Sequence, residues 1–139
     1  MLLIYFKQQE GDHELYAQTS GTHTTNSATF VPIPGLTITN PEGVGTMALI
    51  ILNVPNPFAK GTEGPGGQFG ITVNGVISPV QAIFTYNEKA PVSFGRVPTT
   101  LVAGVPLITA NQTITAVWFA VRNSTVVIDT PATLSAILQ

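Results

Sequence analysis

The chain has 139 residues, of which 9 % are charged, a formal net charge of −2, no cysteine, and only five lysines and arginines. That length suits one domain, large enough to bury roughly two thirds of its unfolded surface without a staple, and the lack of cysteine removes disulfide, zinc-finger and thiol chemistry while fitting a reducing compartment. Phosphate binding needs a basic patch, and five cations scattered at positions 7, 60, 89, 96 and 122 cannot build one, so nucleic acid is excluded as a partner.

From the N-terminus, Leu2 to Phe6 reads as a short strand. It lacks a basic region in front and has charges close behind, so it is not read as a signal peptide; nothing else in the sequence fixes a compartment. Lys7 to Glu14 is polar and mostly acidic, and a Ser/Thr/His segment runs on to Thr25. Residues 1–25 are therefore expected to form a hairpin or loose extension in front of a domain at 26–139. From Thr29 the chain reads as β-strands cut by Gly/Pro turns. Pro32 and Pro34 mark "TFVPIPGLTIT" as an edge or bulged strand. The continuous apolar run Met47 to Val54 reads as a strand covered on both sides; it is far shorter than the about 20 residues a bilayer requires, so no membrane insertion is expected. Asn56 to Gly67 is a long loop. Asn74-Gly75 is a strong hairpin signal and should join Gln68–Val73 to Val76–Tyr86, with a break at Pro79. "TTLVAG" and "VPLITA" follow, then a long strand "QTITAVWFAVR", a tight turn at Asn123-Ser124, and the final strands "TVVID" and "ATLSAIL".

Eight to ten strands at this spacing predict an all-β jelly-roll sandwich or barrel. In "TITAVWFAVR" one set (Ile114, Ala116, Trp118, Ala120, Arg122) and the alternate set (Thr115, Val117, Phe119, Val121) are both poor in polar side chains. A small domain with two apolar sheet faces must cover the outer one, and a closed, cyclic homo-oligomer is the simplest way.

Little chemistry remains. The two histidines, His13 and His23, lie in the N-terminal extension as solvated residues. No HExxH, GxSxG or Gly-rich phosphate loop is present. The "GPGG" stretch reads as a turn because no helix follows it. "EGDHE" (residues 10–14) is a poor calcium cradle, and neither a metal nor another cofactor is expected. Glu42, Glu63 and Glu88 read as charges beside turns. The sequons at Asn111 and Asn123 mean little without a secretory context. Two arginines are left, Arg96 and Arg122, with Asp129, Thr85, Tyr86, Ser93 and Phe94 nearby in the strand pattern. A guanidinium offers five N–H donors in a rigid fork, which two adjacent sugar hydroxyls can accept, while aromatic rings cover the apolar edge of the sugar. The same arginines could instead form ion pairs with Asp129 or Glu88 that only tie strands together. From the residues alone both readings stay open.

The strings "TFVPIPGL", "LIILNVPNPFAKG", "FTYNEKAPVSFGRVPTTLV" and "VWFAVRNSTVVIDTPATLSAI" together resemble the TNF-like fucose-binding lectin domain that forms the N-terminal half of a bacterial two-domain superlectin. The likeness runs from about Thr29 to Ile137. It implies a jelly-roll protomer, a compact homotrimer, and three metal-free sites at protomer boundaries for fucosylated oligosaccharides of the histo-blood-group kind. Carried over by position, it implies that Arg96 and Arg122 hold the sugar, that Thr85, Tyr86 and Ser93 are hydroxyl-bearing neighbours, and that Asp129 supports Arg122. Three positions depart from the pattern: Phe58 and Gln68 stand where it has tyrosines, and Phe94 where it has threonine. The arginine fork is thus kept while the rim is altered, and preference among larger oligosaccharides should differ. The superlectin's calcium-dependent second half has no counterpart here. The competing expectation is a structural or adhesive trimeric jelly roll without a sugar site. An enzyme is least supported, because so few titratable groups assemble no base, nucleophile or metal cluster.

Overall fold

A computed structural model describes residues 14–40, 46–88, 95–107 and 109–138. The described residues form twelve strands: β1 (Glu14–Gln18), β2 (His23–Thr25), β3 (Val31–Asn40), β4 (Thr46–Val54), β5 (Phe58–Lys60), β6 (Gly66–Val73), β7 (Val76–Ile77), β8 (Ala82–Thr85), β9 (Thr99–Leu107), β10 (Gln112–Val121), β11 (Thr125–Ile128) and β12 (Thr133–Leu138). One sheet has the order β1-β12-β4-β9. The second runs β3-β10-β6-β7, with β8 also on β6, and a small third sheet has the order β2-β11-β5. All the described pairings are antiparallel. No described helix is long and apolar enough to cross a membrane. This is an all-β jelly-roll sandwich.

Local sequence explains the pairing. β3 is an edge strand whose register against β10 shifts between Thr115 and Val117, as a strand holding two prolines must. Asn74 (φ 50°) and Gly75 (φ 81°) are both left-handed, the signature of the tight turn that matches strand twist, and they join β6 to β7. Within residues 14–25, expected as part of a hairpin or loose extension, Glu14–Gln18 and His23–Thr25 are strands. β1 pairs along its whole length with β12, and β2 pairs with β11. Their alternation of half-buried Leu15 and Ala17 with exposed neighbours suits one face on the core. The expected strand Leu2–Phe6, His13 and most of "EGDHE" lie outside the described residues. His23 sits on β2, its Nε2 2.8 Å from the Ser20 carbonyl oxygen.

The core lies between the two large sheets. Trp118 of β10 stacks on Phe69 of β6 with ring centroids 6.4 Å apart, and Phe69 stacks on Phe84 of β8 at 6.2 Å. Ile50 and Leu52 of β4 and Leu134 of β12 close the opposite side at 0–1 % exposure. Burying each such side chain contributes about 1.5–3 kcal/mol.

Two expectations about faces change. The outer face of β10 is covered only in part within the chain: Val117 is buried, Phe119 meets the edge of Phe30 at 4.8 Å, and Thr115, Phe119 and Val121 stay half-buried. A broader open apolar face lies on the other sheet. β4 is covered on one side only: Ala48, Ile50, Leu52 and Val54 point inward, while Met47 and Leu49 point out. Tyr16, Met47, Leu49, Val102 and Ile137, from all four strands of that sheet, are between 37 % and 63 % exposed. Cross-strand register places Ile137 beside Leu49, and Ile51 beside Val102, so these side chains form one surface. A continuous apolar run states that both faces are apolar but not which one a single chain covers.

Strand directions give the molecule two poles. Segments 55–57, 61–65, 86–88, 95–98, 122–124 and 129–132 gather at one. The Asn74-Gly75 turn, the first residue of β1 and the last residue of β12 lie at the other, since Glu14 pairs with Ile137, and Leu138 with Ala48.

Candidate functional site

Arg96 lies three residues before β9, in a segment tied down by the Val97 N–H, which donates to the Pro57 carbonyl at 2.9 Å. Its Nη1 donates to Asp129 Oδ1 at 2.6 Å and to the Asn56 carbonyl at 3.0 Å, and its Nη2 donates to Asp129 Oδ2 at 3.1 Å. The guanidinium carbon lies 4.3 Å from the centroid of the Phe58 ring, a cation–π distance. Hydrogen bonding to Arg96 holds the Asp129 carboxyl below the usual carboxylate range, and the same bond raises Arg96; partial desolvation opposes both shifts. Three of the five N–H donors of Arg96 are engaged. The Nε–H and one Nη2–H have no acceptor among the described residues and form a fork aimed away from Asp129.

Arg122 belongs to a second cluster. β10 ends at Val121, one residue earlier than the sequence reading, and the turn is Arg122-Asn123, with φ of 51° and 57°. The Ser124 N–H closes it on the Val121 carbonyl at 3.1 Å. A left-handed arginine costs on the order of 1 kcal/mol and needs its surroundings to hold it. Fully buried Ser124 does so. Its hydroxyl bonds the carbonyls of Val121 (2.5 Å) and Gly66 (2.8 Å), and the Gly66 N–H reaches it at 3.2 Å. Ser124→Ala should therefore lower stability by about 1–3 kcal/mol, read as a melting temperature several degrees lower at fixed protein concentration; an unchanged melting curve would show that the turn does not depend on the hydroxyl.

The Arg122 Nη1 donates to the Gly64 carbonyl at 2.7 Å. Gly64 is left-handed (φ 64°), and an added Cβ would lie 3.3 Å from the Tyr86 carbonyl and 3.4 Å from the Arg122 Nη1, so glycine is what lets loop and arginine meet. Glu63, Gly64, Thr85, Tyr86, Asn87 and Arg122 line an open depression of about 330 Å³. The two arginine clusters flank β11, whose four residues span roughly 13 Å. Arg122 lies three residues before its first residue, and Asp129 directly follows its last.

A family model described as "Bc2l-C, N-terminal domain" matches residues 15–137. The chain belongs to this family. It is a TNF-like, carbohydrate-binding lectin domain. No curated protein matches the sequence. Among solved structures, dimeric latent PorU from Porphyromonas gingivalis is similar at 11 % identity and a TM-score of 0.57, over 89 % of this chain and 12 % of that one. Eiger TNF from S. frugiperda is similar at 9 % and 0.44, over 92 % and 94 %, and the EclA C-terminal domain, described as a sugar-binding protein, at 10 % and 0.41, over 94 % and 82 %. The PorU match is a likeness of fold alone, and this chain spans about an eighth of that protein's length.

Within this domain the expected site residues divide. Thr85 and Arg122 line the depression together. Phe58 and Arg96 form the second cluster with Asp129. Asp129 was expected behind Arg122 and instead holds Arg96, because the end of β11 faces the Asn56 and Arg96 side of the pole. Tyr86 lines the depression, but its hydroxyl donates to the Gly95 carbonyl at 2.6 Å and accepts from the Ala59 N–H at 3.3 Å, and its ring meets the edge of Phe84 at 6.0 Å. It positions the loop that carries Arg96. Gln68 is not among the lining residues: it points out from β6, two residues beyond the Gly66 that pairs with Thr85, and its Nε2 donates to Gln81 Oε1 at 2.6 Å. Ser93 and Phe94 lie outside the described residues. Sequence reasoning gave no site role to Glu63, Gly64, Asn87, Asn56 or Ser124, although it read Glu63 as a charge beside a turn and Ser124 as part of one.

Proposed function

We propose that this domain binds fucosylated glycans of the histo-blood-group kind, without metal and without catalysis, at sites completed between the protomers of a homotrimer. One observation carries the reading: two exposed guanidiniums, each with unengaged donors, stand at one pole in separate clusters on either side of β11. A monosaccharide fits the Arg122 depression by volume. Packing of the open apolar face against neighbouring protomers would bring the Arg96–Phe58 cluster of one chain to the Arg122 depression of the next. There Arg122 and Thr85 would meet ring hydroxyls, the remaining fork of Arg96 would grip a vicinal pair, and Phe58, with Ser93 and Phe94 from the adjoining segment, would close the rim. Gln68, on the same outward face as Thr85, would meet a further unit of the glycan. Three sites on one pole raise apparent affinity for a dense glycan surface, often by 10²–10⁴-fold.

The test is a glycan array read together with light scattering: retention on immobilised L-fucose by a species of three-chain mass is expected, and a monomer that ignores fucosylated glycans refutes it. The Arg96–Asp129 ion pair favours a second reading, a structural trimer without a sugar site; such a protein would pass through a fucose column. A pH series adds a check. The Asp129 carboxyl is depressed in the folded state, so its pairing with Arg96 is fully present above the ordinary carboxylate value of about 3.9 and is lost as pH falls through the lower folded value. Retention on fucose should persist through pH 5 and fail only in strongly acidic buffer; loss between pH 6 and 5 would show that another group orients the arginine.

A further inference from the structure

Exposed arginines favour anions. A bare guanidinium fork fits a carboxylate or sulfate better than a neutral hydroxyl pair, because the anion supplies charge as well as two acceptors. Each guanidinium at this pole has a carboxylate for company. For Arg96 it is Asp129, in a direct bidentate pair. For Arg122 it is Glu63, on the rim of the same depression, and no ion pair joins the two among the described residues. The loop geometry sets this arrangement. Arg122 binds the Gly64 carbonyl, and left-handed Gly64 lies against the Tyr86 carbonyl, so the residue just before that glycine is held at the edge of the hollow. Glu63 is exposed and leaves most of the Arg122 donors unspent.

We infer that Glu63 is a specificity-determining residue which makes the Arg122 depression a site for neutral polyols and excludes carboxylate- and sulfate-bearing saccharides. A hydroxyl accepts from Arg122 and donates to Glu63 at once, whereas a carboxylate or sulfate only accepts and meets a like charge across the hollow. This rests on the sugar-binding reading of the pole, and the experiment separates the two. Wild type and Glu63→Gln are compared on one array carrying a neutral fucosylated glycan and its sialylated and sulfated forms, at low ionic strength so that the charge is not screened. The ratio of anionic to neutral binding should rise at least about five-fold in Glu63→Gln, the scale of one partly screened repulsion. In parallel, inorganic sulfate is titrated while the Arg122 Nε–H resonance is followed: sulfate should perturb it at lower concentration in Glu63→Gln than in wild type. An unchanged ratio and identical sulfate titrations overturn the role of Glu63. If no glycan binds either protein but the sulfate titrations differ, the charge filter stands and the sugar reading falls.

Discussion

Arg96→Ala should leave the protein unable to bind immobilised L-fucose while its size-exclusion elution stays that of the parent. The change removes the two N–H donors that point away from Asp129 and the cation over Phe58. Two charge-assisted hydrogen bonds at about 1.5–3 kcal/mol each put the expected loss at about 100-fold or more per site, and multivalent display multiplies it. Assembly should survive, because the Arg96–Asp129 pair is solvent-exposed and such pairs contribute about 0–1 kcal/mol. Retained fucose binding would remove Arg96 from the site. Lost assembly would mean the arginine acts as a subunit tie, the structural alternative. The companion change Arg122→Ala should give the same loss of binding from the other cluster, and the two single variants mixed in one trimer should regain a fraction of the sites if the two arginines of a site come from different chains.

Leu49→Asp is expected to produce a folded monomer that no longer binds glycan. Leu49 lies in the middle of the open sheet, flanked in register by Ile137 on β12 and by Gly104 on β9, and is 37 % exposed in the single chain. A carboxylate there costs the isolated protomer little, since water still reaches it. Buried against a neighbouring protomer it would be an unpaired charge, with a penalty of several kcal/mol, repeated at each interface of a closed ring. Light scattering should report one chain's mass, far-ultraviolet circular dichroism should keep its β character, and fucose retention should disappear with the trimer. A Leu49→Asp protein that stays trimeric would place the interface on another face, and one that binds fucose fully as a monomer would show that a single chain holds a complete site.

Much of this was legible beforehand, and for identifiable reasons. Alternation in β10 and the Asn74-Gly75 turn are local signals, and the strands and turn are where those signals put them. Pro32 and Pro34 mark β3 as an edge because proline cannot serve a ladder from both sides. What failed depends on contacts distant in sequence. Phe30 shields Phe119 on the outer side of β10, while the sheet of β1, β12, β4 and β9 keeps its outer apolar face open, a difference no alternation pattern records. Leu15 and Ala17 are too few to announce β1 alone; the strand exists because β12 offers it a full ladder. In the site, the two arginines stand out by rarity, but the partner of Asp129 follows from where β11 ends, and Ser124 and Glu63 earn notice only once the Arg122-Asn123 turn brings their neighbours together.

The polarity of the strands has a practical result for how such a molecule can be displayed. β1 starts and β12 finishes on the side away from both arginine clusters. Moored at the start of β1 or the end of β12 to a bead, a cell envelope or another protein, the domain would hold its arginine loops outward, toward whatever surface approaches. Sensor chips loaded through a handle placed at Glu14 or at Leu138 should thus capture glycan equally well, whereas coupling through a loop such as 61–65 should silence them.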